Sequence, residues 1–186
     1  MRPLLAAVFA FSALTLAACD QKPAEQAGEP KPAQAAATAP GVAGPHYDTT
    51  EASNAKFLAD YEKQPGVIKT GDGLLYKVIK AGTGKTPLTT ADQVTVLYKG
   101  QLINGSVFDQ TVPADPADPN SGPRTFPAGG LIPGWVEALA MMKEGDEWEL
   151  VIPYALAYGE EGRPPVIPAK QALVFRMTLL KVEFAQ

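Results

Sequence analysis

Between residues 131 and 159 the apolar positions change period twice. Trp135, Ala138, Leu139 and Met142 recur at i, i+3, i+4 and i+7, one face of a short helix that opens at Pro133-Gly134. Trp135 therefore points inward from the helix's first turn. Lys143-Glu144-Gly145-Asp146 interrupts this pattern as an exposed charged turn. Trp148, Leu150 and Ile152 then alternate with Glu147 and Glu149, the period of a strand with one wet face, until Pro153 stops it. Tyr154 to Gly159 follows as a short apolar and aromatic loop. Helix, strand and loop together occupy fewer than ~30 residues, and such a segment can wall a small apolar pocket.

The flanking chain repeats the strand period. Leu74, Tyr76 and Val78 alternate with Leu75, Lys77 and Ile79, and Ala81 to Gly84 turns the chain. Val94, Val96 and Tyr98 alternate with Thr95, Leu97 and Lys99, leading to Asn104-Gly105, a hairpin signal because both residues tolerate positive φ. Val107-Phe108-Asp109 follows the turn. Gln110 to Thr125 reads as a long loop punctuated by prolines, and Glu160 to Gln171 as a second one stiffened by Pro164, Pro165 and Pro168. Leu173, Phe175, Met177 and Leu179 against Arg176 and Thr178 form the last strand. Ahead of these strands, Ser53 is an N-cap candidate for a helix carrying Phe57, Leu58 and Tyr61, which Gln64-Pro65-Gly66 ends. That helix either lies on the domain or helps a dimer form; it is short for a dimerising arm, which favours a monomer. The class is α+β, a curved antiparallel sheet burying its inner face on one short helix, with an aromatic-lined hollow where the wrap is incomplete.

The N-terminal quarter has a different character. Arg2 precedes an almost unbroken apolar run, Leu4 to Ala18, shorter than the ~20 residues of a membrane-spanning helix, so residues 1–18 read as an export signal. Leu16-Ala17-Ala18-Cys19 resembles the bacterial lipoprotein signal, in which the cysteine becomes residue one and is acylated. The resemblance implies a palmitate-type anchor on Cys19 and a periplasmic protein held on the inner or outer membrane. Residues 19–45, rich in Pro, Ala, Gln and Glu, have too little apolar bulk to order themselves and read as a tether. Residues 46–65 carry the short helix, and residues 66–186 form the globular domain.

Composition removes whole classes of function. Of 186 residues, 46% are hydrophobic and 19% charged, enough for one core, and the net charge of -4 offers no basic stripe for nucleic acid. The one histidine, His46, and the one cysteine, Cys19, lie outside the periodic segments, so there is no Ser-His or Cys-His pair, zinc set or disulfide in the domain. Gly84-Lys85-Thr86 looks like the end of a phosphate-binding loop, but Ile79 stands where the leading glycine belongs. Asp115, Asp118 and Asn120 invite a calcium reading, yet the EF-hand order of ligands is absent. No metal and no cofactor is implied.

Six motifs then fall in one order. Val96 to Gly100 (VLYKG), the Asn-Gly turn followed by Phe108-Asp109, Leu131 to Trp135 (LIPGW), Leu156 to Gly159 (LAYG), Val166 to Pro168 (VIP) and Leu173 to Phe175 (LVF) resemble FKBP-type peptidyl-prolyl isomerases. Asn54 to Lys85, with GLLYKVIKAGTGK, is similar to the macrophage-infectivity-potentiator branch of that family. The resemblance implies a half-open antiparallel sheet curled around a short helix. It also implies a proline pocket with Trp135 as floor and Tyr98, Phe108, Leu131, Ile132 and Phe175 as walls. Tyr158 matches the tyrosine whose hydroxyl donates to a substrate carbonyl, Asp109 the carboxylate facing the rotating amide, and the Ile132 N–H the donor that holds the flanking chain. Implied partners are proline-containing polypeptides and macrolide inhibitors. Three departures stand out: Arg124 where well-known members carry an aromatic, Arg163 in place of a loop-tip histidine, and a long loop from Gln110 to Thr125. The competing readings are a module that holds unfolded chains with little turnover, and an enzyme using Asp109 and Asp146 as an acid-base pair.

Overall fold

The computed structural model describes residues 47–114, 117–118 and 121–186. The expected signal, the acylated Cys19 and the tether lie outside the described residues, as do Asp115 and Asn120 of the calcium reading. Among the described residues no helix is long and apolar enough to cross a membrane.

In chain order the elements are α1 (Glu51–Glu62), β1 (Val67–Lys69), β2 (Leu75–Lys80), β3 (Gln93–Leu102), β4 (Val107–Gln110), β5 (Arg124–Pro127), α2 (Pro133–Met141), β6 (Glu147–Ile152) and β7 (Leu173–Glu183). A single 3-10 turn, Tyr154–Leu156, follows β6. The strands form one antiparallel sheet in the order β1-β2-β6-β7-β3-β4. The two longest strands, β3 and β7, pair along the whole length of β3, from Gln93 opposite Glu183 to Leu102 opposite Leu173. The other edge of β3 is shared: β4 pairs with Lys99 to Gln101, and β5 with Gln93 to Val96. Between them Thr111 closes the edge, its N–H donating to the Tyr98 carbonyl at 2.9 Å and its Oγ1 accepting from the Tyr98 N–H at 3.1 Å.

The inner face of the sheet is covered, and so is part of the outer one. On the inner face Val94, Val96, Tyr98, Leu150, Ile152, Leu173, Phe175, Met177 and Leu179 bury against Trp135, Ala138 and Leu139 of α2 and against Met142 beyond it. The i, i+3, i+4, i+7 spacing thus delivers the inward face it predicts. On the outer face α1 lies across β2 and β6, with Tyr61 packed on Leu75 and Val151 and half-buried Phe57 and Leu58 beside them. Two carboxamides fasten this layer: buried Asn54 accepts from the Ala172 N–H at 2.8 Å, and Gln171 donates to the Thr49 carbonyl at 2.8 Å.

Several local expectations are corrected. Thr50, three residues before Ser53, caps α1, its hydroxyl accepting from the Ser53 N–H at 3.3 Å. Val78 is exposed at the outer end of β2. The strand β6 is not wet on one face along its whole length, because Val151 is buried under α1. In the hairpin only Gly105 takes positive φ, at 86°. The turn runs through Ile103 and Asn104, with the Gly105 N–H donating to the Leu102 carbonyl at 2.9 Å and a register shift following between Gly100 and Gln101. The long loop is shorter than the Gln110 to Thr125 expected, since β5 begins at Arg124.

Asp146 is the largest correction. It is buried, not exposed, and its two carboxylate oxygens accept from the Gly82 N–H at 2.5 Å and the Lys143 N–H at 2.6 Å. The neighbouring Glu144 carbonyl accepts from the Gly84 N–H at 3.1 Å. The backbone of the false phosphate loop is therefore spent on the turn before β6.

Candidate active site

The hollow is built outward from Trp135. Ile132 is extended (φ -60°, ψ 147°) and Pro133 starts α2 with a preset φ, so the third helical residue is turned under the sheet. The indole is 5% exposed, and three rings meet it edge-on: Tyr98 of β3 at 5.1 Å, Phe175 of β7 at 5.2 Å and Phe126 of β5 at 6.3 Å between centroids. Edge-to-face contacts at these distances fix ring orientation as well as burying area. With Leu131, Ile132 and Gly130 the rings line a hollow of about 520 Å³. The space between β3 and its neighbours depends on Gly100, where a Cβ would lie 2.7 Å from Phe108 and from Phe175.

The rim is polar, formed by Asp109, Arg124, Tyr158 and Arg163. The Tyr98 hydroxyl donates to Asp109 Oδ2 at 2.7 Å. Burial first, and then this carboxylate, push the Tyr98 phenol well above its ordinary range, with Arg124 acting the other way. Tyr98 therefore stays a protonated donor that holds Asp109. Among the described residues the hydroxyl of half-buried Tyr158, the backbone N–H of Ile132 and the buried indole N–H of Trp135 make no hydrogen bond. The Ile132 carbonyl, in contrast, accepts from the N–H groups of Trp135 at 2.9 Å and Val136 at 3.2 Å.

Tyr98, Asp109, Leu131, Ile132, Trp135, Tyr158 and Phe175, expected together from the motifs, thus surround one space. Phe108 does not. It packs edge-on against Phe175 at 5.5 Å and lines an adjoining hollow of about 440 Å³ with Pro164, Pro165, Val166 and Ile167. Asp109, Tyr158 and Arg163 border both spaces. Sequence reasoning missed Phe126, which lies just past the loop expected from Gln110 to Thr125 and falls in none of the expected elements. Its signal was alternation over only Arg124, Thr125 and Phe126. Phe126 supplies an aromatic wall from β5 two residues along from Arg124.

The arrangement can bind an apolar ring and offer donors to carbonyls beside it. Acid-base chemistry by Asp109 and Asp146 gains no support, because Asp146 sits in the turn before β6 and is absent from the residues around either hollow.

Residues 84–180 match the family profile of FKBP-type peptidyl-prolyl cis-trans isomerases, and residues 16–78 match that of the domain amino terminal to them. The chain is 46% identical over 127 residues to peptidyl-prolyl cis-trans isomerase Mip of Coxiella burnetii, covering 68% of this chain and 52% of that protein. It is 39% identical over 138 residues to outer membrane protein MIP of Legionella longbeachae, covering 74% and 56%. The chain spans about half the length of these curated relatives. The crystal structure of a peptidyl-prolyl cis-trans isomerase from Pseudomonas syringae pv. tomato superposes with a TM-score of 0.64 at 35% identity, over 71% of this chain and 92% of that one. The edge-on rings, the six ordered motifs and these likenesses converge, and the chain belongs to the FKBP-type peptidyl-prolyl cis-trans isomerase family.

Proposed function

We propose that this chain accelerates rotation about X-Pro bonds in exported polypeptides, and that it works in the periplasm while held to a membrane through acylated Cys19. The observation that carries the catalytic reading is one opening that combines a buried indole ringed by three edge-on aromatics with two unspent donors, Tyr158 OH and Ile132 N–H.

The chemistry suits a site without nucleophile or base. Rotation is slow because amide resonance is lost, a barrier of ~20 kcal/mol. In the twisted amide the carbonyl is less polar and the prolyl nitrogen regains its lone pair, so a dry aromatic wall destabilises the planar ground state more than the twisted one. With the prolyl ring over Trp135, the Ile132 N–H takes a carbonyl of the flanking chain and the Tyr158 hydroxyl a second one. Asp109, fixed by Tyr98, faces the turning amide. An acceleration of roughly ten-thousand-fold needs only ~5.5 kcal/mol of this differential binding.

The catalytic part is tested by proline-limited refolding of a model substrate with the full chain, which is expected to quicken, and to quicken far less with Trp135→Ala. A wild-type chain with no effect ends the proposal. For the anchor, the motif around Cys19 and a relative described as an outer membrane protein give support. Wild-type chain expressed in a bacterial host should fractionate with membranes and incorporate labelled palmitate, and Cys19→Ser should do neither.

A further inference from the structure

We infer that Arg124 and Arg163 make this site selective for prolyl peptides with an acidic side chain next to the proline, an inference that rests on the isomerase reading above. Both arginines line the principal hollow, and neither has an ion-pair partner among the described residues. The third described arginine, Arg176, is neutralised by Glu147 at 2.7 Å. The hollow's one carboxylate, Asp109, is occupied by the Tyr98 hydroxyl. Glu160 and Glu161 lie just before Arg163 in the chain, but form no pair with it. In a chain of net charge -4, two guanidinium groups without ion-pair partners thus share one opening with a single carboxylate, a local excess of one positive charge.

The backbone of each arginine is fixed by its pairing. Arg124 lies in β5, opposite Val96 of β3; the Arg163 guanidinium sits over the Tyr158 ring at 5.9 Å, and the Arg163 backbone N–H donates to the Ile167 carbonyl at 2.8 Å. Arg163 also borders the adjoining hollow beside Phe108, so a peptide leading from one space to the other passes it. A guanidinium offers a carboxylate two parallel donors, a fit that an amide side chain meets poorly and an ammonium opposes. Both arginines are exposed, so the preference is modest and salt-sensitive.

The test compares kcat/KM of the full chain on two peptide series, one with Glu, Gln or Lys directly before proline and one with the same residues directly after it. In at least one series Glu should exceed Gln by about three- to tenfold, with Lys below Gln, and about 0.5 M salt should shrink the gap. Arg124→Gln with Arg163→Gln should bring the Glu-to-Gln ratio near one, and Arg124→Lys with Arg163→Lys should leave a smaller ratio that still exceeds one, since lysine keeps the charge but not the paired donors. If a doubly substituted chain fails to fold, the wild-type ratio and its salt dependence decide. A wild-type ratio within twofold in both series, or one that survives loss of both charges, overturns the inference. A chain that turns over no peptide overturns the isomerase reading and this inference with it, whereas turnover blind to charge overturns the inference alone.

Discussion

Replacing Gly100 by alanine tests how β3 shapes the hollow. The added Cβ would stand 2.7 Å from Phe108 Cζ, 2.7 Å from Phe175 Cε1 and 2.8 Å from Phe108 Cε2, where ordinary contact begins near 3.4 Å. Both rings must retreat by about 0.7 Å, or β3 must shift away from them. Phe175 is already edge-on to Trp135 at 5.2 Å and to Phe108 at 5.5 Å, so its displacement passes to the pocket wall. Overpacking of this kind costs about 1–3 kcal/mol, which for a domain of this size is a loss of several degrees in Tm. The catalytic loss should be larger than stability alone explains, since a sub-ångström shift at the reacting geometry costs on the order of tenfold in kcat/KM. Thermal melts and a peptide isomerisation assay at a temperature well below the transition separate the two. Gly71→Ala, at a position with nothing within 4 Å of a Cβ, is the control and should change neither. A Gly100→Ala chain with wild-type Tm and wild-type kcat/KM would refute the claim that this strand position sets the hollow.

Asp146→Asn replaces a carboxylate that accepts from two backbone N–H groups, and should destabilise the fold by about 1–3 kcal/mol in a denaturant titration. Asp92 is held down at about 2 by hydrogen bonds from the N–H groups of Ala185, Thr89 and Leu88, against the effect of burial. Its folded value lies below the ~3.9 of an unfolded chain, so its stabilising effect is present above pH ~4 and lost as the pH falls toward 2. The Tm difference between wild type and Asp92→Asn should therefore narrow across that window; a constant difference would contradict it. Tyr158→Phe removes an unspent donor without disturbing a hydrogen bond among the described residues. It should lower kcat/KM by about three- to thirtyfold while leaving the melt unchanged.

How much of this was legible in the chain depends on how far each contact reaches. Trp135, Ala138, Leu139 and Met142 declared α2 because one helical face meets one sheet, and the alternation of Leu173 to Leu179 declared β7 for the same reason. Leu75 and Val151 broke the alternation because α1 covers part of the sheet's second face, which a period-two pattern cannot announce. The strand β5 escaped because it is four residues long and ends in Pro127; only its pairing with β3 makes it a strand. Asp146 read as a turn charge, since the Gly82 N–H it accepts from lies 64 residues away. In the site, the motifs supplied Trp135, Tyr98, Tyr158 and Asp109, but Phe126 and the place of Phe108 in the adjoining hollow required coordinates.

The central claim is that the space over Trp135 stabilises a twisted prolyl amide without covalent chemistry. Magnetisation exchange between the cis and trans forms of a short X-Pro peptide, recorded with catalytic amounts of the full chain, tests it directly. Exchange should quicken by orders of magnitude, equally in both directions, and fall back toward the uncatalysed rate with Trp135→Ala. Exchange that stays at the peptide's own rate, or that is as fast without the indole as with it, would contradict the account.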